Sequence, residues 1–359
     1  KKGTEMTVSG LKKGTEMTVS GMREGAAASF QVLKDGSKGL INGIAAAEDF
    51  LMLDPVDLAK LVPVFLEDAA DGNTKSIYQL LELDSKTEQY SVVVQHDDER
   101  RTAMHKAALE GRTEVIRLLV DYVKGKPDLE YLIDSKDVYG STPFYLVCMK
   151  LHKSNPKLAE YLLENGATVD LVKKTTLMTP LHWACYHGSV ELSDMICKRP
   201  AGTKHLYCKN TNDRYPLDMA GEQYMKRVYE ESDQETGDSI LPDFLQGSTS
   251  EVYKKLLRDL LISGDTFDAS IEYQCRRLYW ACVINDIECA NAAIKYKASV
   301  STRNPAYKNQ NPFHGAARHG SQDCLRILLT MVQNQESKDA MNVVDTDGNT
   351  PLIDAVRMS

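Results

Sequence analysis

Apolar residues along this chain fall into short helical runs that return at a near-constant interval. Asp137 to Asp170 shows one complete unit. Asp137-Val138-Tyr139-Gly140 reads as a turn. Thr142 is a helix cap and Pro143 stands at the first helical position, where its missing N–H costs nothing. Phe144 to Met149 predict a short inner helix. Leu158, Tyr161, Leu162 and Leu163 share one face of a second, outer helix, which Asn165-Gly166 closes. The apolar face of one such unit is too small to bury alone, so neighbouring units must stack.

The unit recurs. Thr179-Pro180-Leu181-His182 is the clearest start. Looser starts are Thr102-Ala103-Met104-His105, Thr142-Pro143-Phe144-Tyr145, Tyr215-Pro216-Leu217-Asp218, Asn311-Pro312-Phe313-His314 and Thr350-Pro351-Leu352-Ile353. Most lie roughly 36 to 40 residues apart. The outer-helix pattern Gly-x-x-acidic-apolar appears independently in Gly111–Leu119, Gly188–Ile196 and Gly320–Leu328. Leu278-Tyr279-Trp280-Ala281-Cys282 echoes Leu181-His182-Trp183-Ala184-Cys185 and marks a copy without Thr-Pro. Phe65–Leu81 reads as a degenerate first copy.

These motifs resemble the ankyrin-repeat family over residues ~56–222 and ~271–359. The resemblance implies an all-α ankyrin-repeat solenoid of about six to seven repeats, some degenerate. It also implies a surface that grips other proteins and carries no catalytic centre.

Two stretches depart from a plain array. Residues 1–44 divide into four eleven-residue units, KKGTEMTVSGL, KKGTEMTVSGM, REGAAASFQVL and KDGSKGLINGI. Eleven residues are nearly three helical turns, so Val8, Val19, Phe30 and Ile41 share one face with Leu11, Met22, Leu33 and Ile44. The pattern resembles the amphipathic repeats of lipid-surface proteins such as the perilipins. Docking on protein, docking on a lipid surface, and disorder in isolation are the three readings, since the glycines weaken a free helix. In residues 223–270, an acidic run (Glu230 to Asp238) precedes Val252, Leu256, Leu257, Leu260 and Leu261 at helical spacing. It reads as a solvated loop and one extra helix packed on the array, or as a docking element for a basic partner. The expected division is 1–54 amphipathic repeats, 55–222 a first repeat block, 223–270 the insert, and 271–359 a second block.

Composition narrows the reading little. The chain is 42% hydrophobic and 26% charged, with a net charge of −8, which argues against generic nucleic-acid binding. No run of eighteen apolar residues and no signal peptide is present. The eight scattered cysteines suit a reducing cytosol better than disulfides. His182, Cys185 and His187 are close enough to suggest zinc, but His182 and Cys185 belong to the repeat, so no metal is expected. Motifs for phosphate loops, nucleophile elbows, zinc proteases and kinases are missing. The expectation is therefore no enzyme, no cofactor and no small-molecule substrate.

The function expected is a protein–protein interaction scaffold or adaptor, cytoplasmic, attached to a membrane or a large assembly, and part of a longer polypeptide. The alternatives are the cytosolic repeat domain of a membrane protein such as an ion channel, and a membrane-surface adaptor that contacts lipid through 1–44. Partner contacts in the family come from turn tips and inner-helix ends. Carried onto this chain they fall on Tyr139, Ser141, Met149, Lys150, Met178, Tyr186, His187, Val283, Ile284, Tyr307, Arg318 and His319. The competing reading is that the 223–270 insert or the amino-terminal helix covers some of them.

Overall fold

A computed structural model describes residues 55–84, 91–151, 156–169, 175–199, 201–233, 250–264, 269–332 and 335–358. The eleven-residue units and the acidic residues 234–238 lie outside them. Inner and outer helices alternate as α1 Pro55–Asp71 and α2 Thr74–Asp84, α3 Ala103–Leu109 and α4 Thr113–Val123, α5 Pro143–Met149 and α6 Pro156–Glu164, and α7 Pro180–His187 and α8 Val190–Cys197. They continue as α9 Pro216–Asp233 and α10 Ser250–Ser263, α11 Ile271–Ile284 and α12 Ile287–Lys295, and α13 Pro312–Arg318 and α14 Gln322–Thr330. A short α15 Gln335–Asp339 leads to the inner helix α16 Pro351–Met358. These are repeats one to seven and the first helix of an eighth. Each inner helix packs on the next, from α1 on α3 through to α13 on α16. A single apolar core runs through the stack, with Ile116, Leu119, Phe144, Leu162, Leu181, Leu217, Leu278 and Leu328 all buried.

The caps explain where the inner helices start. Thr142, Thr179 and Asn311 accept a bond from the backbone N–H three residues on. His105, His182 and His314 return the favour through Nδ1, which accepts from the cap's own N–H at 3.2, 3.1 and 3.3 Å. His314 Nδ1 also lies 2.7 Å from the Asn311 side-chain oxygen, while in His105 and His182 the proton sits on Nε2. That nitrogen donates to the next repeat, on the carbonyls of Ser141 (3.1 Å) and Arg214 (3.0 Å), and His314 Nε2 lies 3.0 Å from the Asn349 carbonyl. One histidine thus closes its own helix and fixes its neighbour. Burial holds His105 and His182 neutral, with pKa values lowered to about 4.

The turns ahead of the helices form a row of fingers. Asp97, Asp137, Asn210 and Asp345 each accept two backbone N–H bonds across their own turn. Backbone bonds stitch neighbouring fingers, Val138 N–H to Glu99 O, Thr211 N–H to Thr176 O and Thr346 N–H to Lys308 O. Few ordinary strand contacts are needed for this, and the one isolated bridge among the described residues pairs Asn304 with Gln310.

Repeat five differs from the rest. Its inner helix α9 continues for three turns past the point where the other inner helices stop. Its second helix, α10, packs on α9 and on the preceding outer helix α8, so the helix expected as an extra element stands in the outer-helix slot. Two glycines permit this arrangement. Gly188 lies so close to the Tyr253 ring that a Cβ there would sit 2.7 Å from it. Gly221 lets the Trp280 ring lie flat on α9, and a Cβ would come within 2.5 Å of three ring carbons.

Repeat six has lost its finger among the described residues. Counted from Leu278, the cap position is Arg276, and α11 is already helical from Ile271. Buried Arg276 takes over the stitching. Its guanidinium donates to Asp218 (2.9 Å) and Asn304 (2.7 Å) from Nη1, and to Asp213 (3.1 Å) from Nη2. These partners belong to repeats five and seven, on either side. Trp280 Nε1–H donates to the other Asp218 oxygen at 2.8 Å. Burial pushes the Asp218 carboxyl up, and Arg276 and Trp280 pull it back toward the charged form. Tyr279, at the histidine position, reaches Gln310 at 2.9 Å.

Candidate interaction surface

Finger tips and the carboxyl ends of the inner helices carry the positions expected from sequence. In repeats two to four several of them are exposed among the described residues. Val138, Tyr139 and Leu177 stand at finger tips, 49%, 37% and 44% exposed. At the end of α7, Trp183, Tyr186 and His187 pack as a cluster. The Trp183 and Tyr186 rings meet edge to face at 5.8 Å, and Trp183 and His187 stack at 6.1 Å.

Polar bonds hold the cluster rigid. Trp183 Nε1–H donates to the buried Tyr145 hydroxyl at 2.8 Å, and His187 Nε2 lies 3.0 Å from the Met149 carbonyl. The Tyr253 hydroxyl of α10 donates to the Tyr186 carbonyl at 3.2 Å. Met149 and Lys150 end the neighbouring helix and are half-buried. At the adjacent finger, Tyr139 donates through its hydroxyl to Glu99 at 3.1 Å, and the Arg101 guanidinium lies 5.7 Å from its ring centre.

In repeats five to seven the corresponding positions are covered. The three-turn extension of α9 brings Tyr224 to 6.5 Å from His319, ring to ring. It sets Tyr229 under the Arg318 guanidinium at 5.7 Å. Tyr307 joins Tyr279 and Trp280 in the same aromatic layer, at 6.3 and 5.7 Å. Burial, then Arg318, push His319 down to about 4. Arg318 also faces buried Asp354 at 3.9 Å.

The twelve residues singled out from sequence thus separate into groups. Met149, Lys150, Tyr186 and His187 stand at the ends of α5 and α7, with His187 on the Met149 carbonyl, and Tyr139 stands at a finger tip. Tyr307, Arg318 and His319 lie beneath α9, and Ile284 is half-buried against the core. Ser141, Met178 and Val283 depart from the outward-facing expectation, for each is buried. Ser141 closes its finger on Asp137. Met178 accepts from Asn210. Val283 lies one helical turn from the surface, under repeat seven. Sequence reading missed Trp183, Val138 and Leu177 as surface residues. Trp183 carries no outward signal, because its equivalent Trp280 is fully buried.

Most groups with chemical potential are bonded within the fold, and one Asp354 oxygen is buried without a hydrogen-bond partner. His182 has both ring nitrogens bonded to backbone, and Cys185 is buried in the core. His314, Asp345 and Asp354 cluster within 4.8 Å. Asn349 and Asn311 take His314, and Gln310 and two backbone N–H groups take Asp345. All eight cysteines are free thiols. No helix among the described residues is long and apolar enough to cross a membrane.

A family model for ankyrin repeats matches in three copies, over residues 66–173, 125–206 and 278–359. Among curated proteins, the chain is 37% identical over 84 residues to a mouse protein named palmitoyltransferase ZDHHC13, covering 23% of this chain and 13% of that protein. It is 29% identical over 117 residues to the human SMC5-SMC6 complex localization factor protein 1, covering 33% of this chain and 10% of that protein. The chain therefore spans only a small fraction of the relatives it matches.

Proposed function

Because this chain belongs to the ankyrin-repeat family, we propose that it is a non-catalytic scaffold that holds a protein partner on the finger tips and helix ends of repeats two to four. Ankyrin repeats are protein-interaction modules, and a stacked array offers an extended concave face for that purpose. One observation carries the narrower reading. Trp183, Tyr186 and His187 form an ordered aromatic cluster at the end of α7, and Tyr139, Val138 and Leu177 are exposed at finger tips. Rigid aromatic side chains that remain on a soluble surface are what interface hot spots are built from. The two relatives carry names from different functional classes, which fits a shared interaction module better than a shared activity.

The test pairs Tyr186→Ala with Met149→Gln in the full chain, followed by affinity capture and melting. Capture of partner proteins should fall while the melting temperature stays close to that of the parent. Capture at the parental level would remove these positions from the reading.

A further inference from the structure

Cys148, Cys185 and Cys282 hold one place in the repeat, four residues after Phe144, Leu181 and Leu278. The outer helices have a matching place, four residues after the glycine that precedes them. Val115 fills it in repeat two, Leu192 in repeat four and Cys324 in repeat seven. After Cys148 the next repeat therefore sets a leucine, and after Cys282 it sets a second cysteine. Cys282 and Cys324 are both fully buried. The Cys282 thiol donates a hydrogen bond to the Cys324 sulfur.

The sulfurs are held in place. Cys324 donates through its own thiol to the Ala281 carbonyl at 3.8 Å, and its backbone N–H donates to Asn285 Oδ1 at 3.2 Å. The Ser321 hydroxyl donates to the Val283 carbonyl at 3.5 Å. Together these bonds fasten the first turn of α14 to the end of α11. Repeat six, which α11 opens, is the repeat that has lost its finger.

We propose that Cys282 and Cys324 are a redox pair, which a low-molecular-weight disulfide such as glutathione disulfide oxidises, by way of Cys324, to an intramolecular disulfide joining repeat six to repeat seven. The chemistry is two exchange steps. The Cys324 thiolate attacks one sulfur of the small disulfide, forms a mixed disulfide and releases one small thiolate. Cys282 loses its proton to solvent, attacks the Cys324 sulfur and releases the second. Two protein thiols are oxidised by two electrons, and one small disulfide is reduced to two thiols. Cys324 reacts first because it lies in the first turn of a helix, where a thiolate is favoured. The bond from Cys282 also holds its pKa below the ordinary thiol value, whereas burial pushes Cys282 well above it. Ser321, Gln322 and Leu325 flank Cys324 and line a surface cleft of about 500 Å³ between α13, α14 and α16. Reaction needs a local opening of that first turn, which Ser321 leaves without a side-chain cap. In a reducing compartment the pair rests as thiols.

The test incubates the folded full chain with glutathione disulfide, blocks remaining thiols with N-ethylmaleimide and maps unreduced peptides by mass spectrometry. The expected product links the Cys282 and Cys324 peptides, and dithiothreitol reverses it. Hydrogen exchange in α11 and α14 should slow about tenfold or more, because the link restrains their opening. Cys282→Ala should trap the mixed disulfide on Cys324. Cys324→Val, which installs the residue of repeat two, should leave Cys282 reduced. Should a variant fail to fold, the map of the parent chain decides alone. Four results would each overturn the proposal: both thiols still reduced while half-buried Cys197 and Cys208 carry glutathione, a main product linking either residue to another cysteine, a 282–324 link that forms only in urea, or a mixed disulfide on Cys282 in Cys324→Val.

Discussion

In repeats two to four, fingers project ahead of the helices, and Val138, Tyr139 and Leu177 stay exposed at their tips. In repeats five to seven, one finger is replaced by helix, Arg276 does its stitching, and an elongated α9 covers Arg318 and His319. Both halves solve the same physical problem, which is to fix each repeat on the next. The first half does so with backbone and neutral histidine, and the second adds a buried ion network and aromatic layers to the His314 and Thr346–Lys308 bonds. In the first half Tyr186 stays 38% exposed at its helix end. In the second, Arg318 and His319 lie beneath α9.

The largest expected effect falls on the second half. Arg276→Met leaves buried Asp218 without its countercharge, and removal of one partner of a buried ion pair costs about 3–5 kcal/mol. Urea denaturation followed by hydrogen exchange should show repeats five to seven opening first, with repeats two to four still protected. A loss below about 1 kcal/mol would mean that the network is not what joins these repeats.

Leu181→Ala makes the matching break in the first half. Leu181 is fully buried between repeats, so the loss should be about 2–5 kcal/mol from transfer and cavity together. Damage should spread to neighbouring repeats before distant ones. A cost under about 0.5 kcal/mol would contradict the stacking register.

Acid acts on the buried histidines of both halves, His105 and His182 in the first and His319 in the second. His105 and His182 have folded-state pKa values near 4 against an ordinary 6.5. Between those values the unfolded chain binds protons that the folded chain does not. Stability from these residues is complete above about pH 6.5 and is lost as pH falls toward 4, about 3 kcal/mol for each ring. Denaturation midpoints measured across that window should fall with pH. His182→Gln should flatten part of the slope, and an unchanged slope would show that the ring does not titrate this way.

A smaller change probes the cover itself. Gly221→Ala forces a methyl group into the Trp280 ring and should cost about 1–3 kcal/mol by overpacking. The expected signature is faster exchange in α9 and a change in Trp280 fluorescence, with the Trp183 cluster unaffected. The smallest effect is that of Tyr186→Ala alone on stability, within about 0.5 kcal/mol for an exposed position.

The sequence alone determined the all-α stacked architecture, since period, cap, proline and apolar face are local signals that repeat. Six starts could be read because each needs only its own residues to form. The sequence's register also puts Met149 and His187 at neighbouring inner-helix ends, where the His187 ring lies 3.0 Å from the Met149 carbonyl. It could not separate Trp183 from Trp280, which occupy the same place in the repeat and differ only in what lies over them. Nor could it show that α10 takes an outer-helix slot, because an apolar stripe does not name the surface that buries it. That Arg276 replaces a finger, and that Tyr224 and Tyr229 lie over His319 and Arg318, depended on residues brought together from three repeats. Such contacts arise from the stacking itself, and no local pattern along the chain encodes which side chains the stack will cover and which it will leave open.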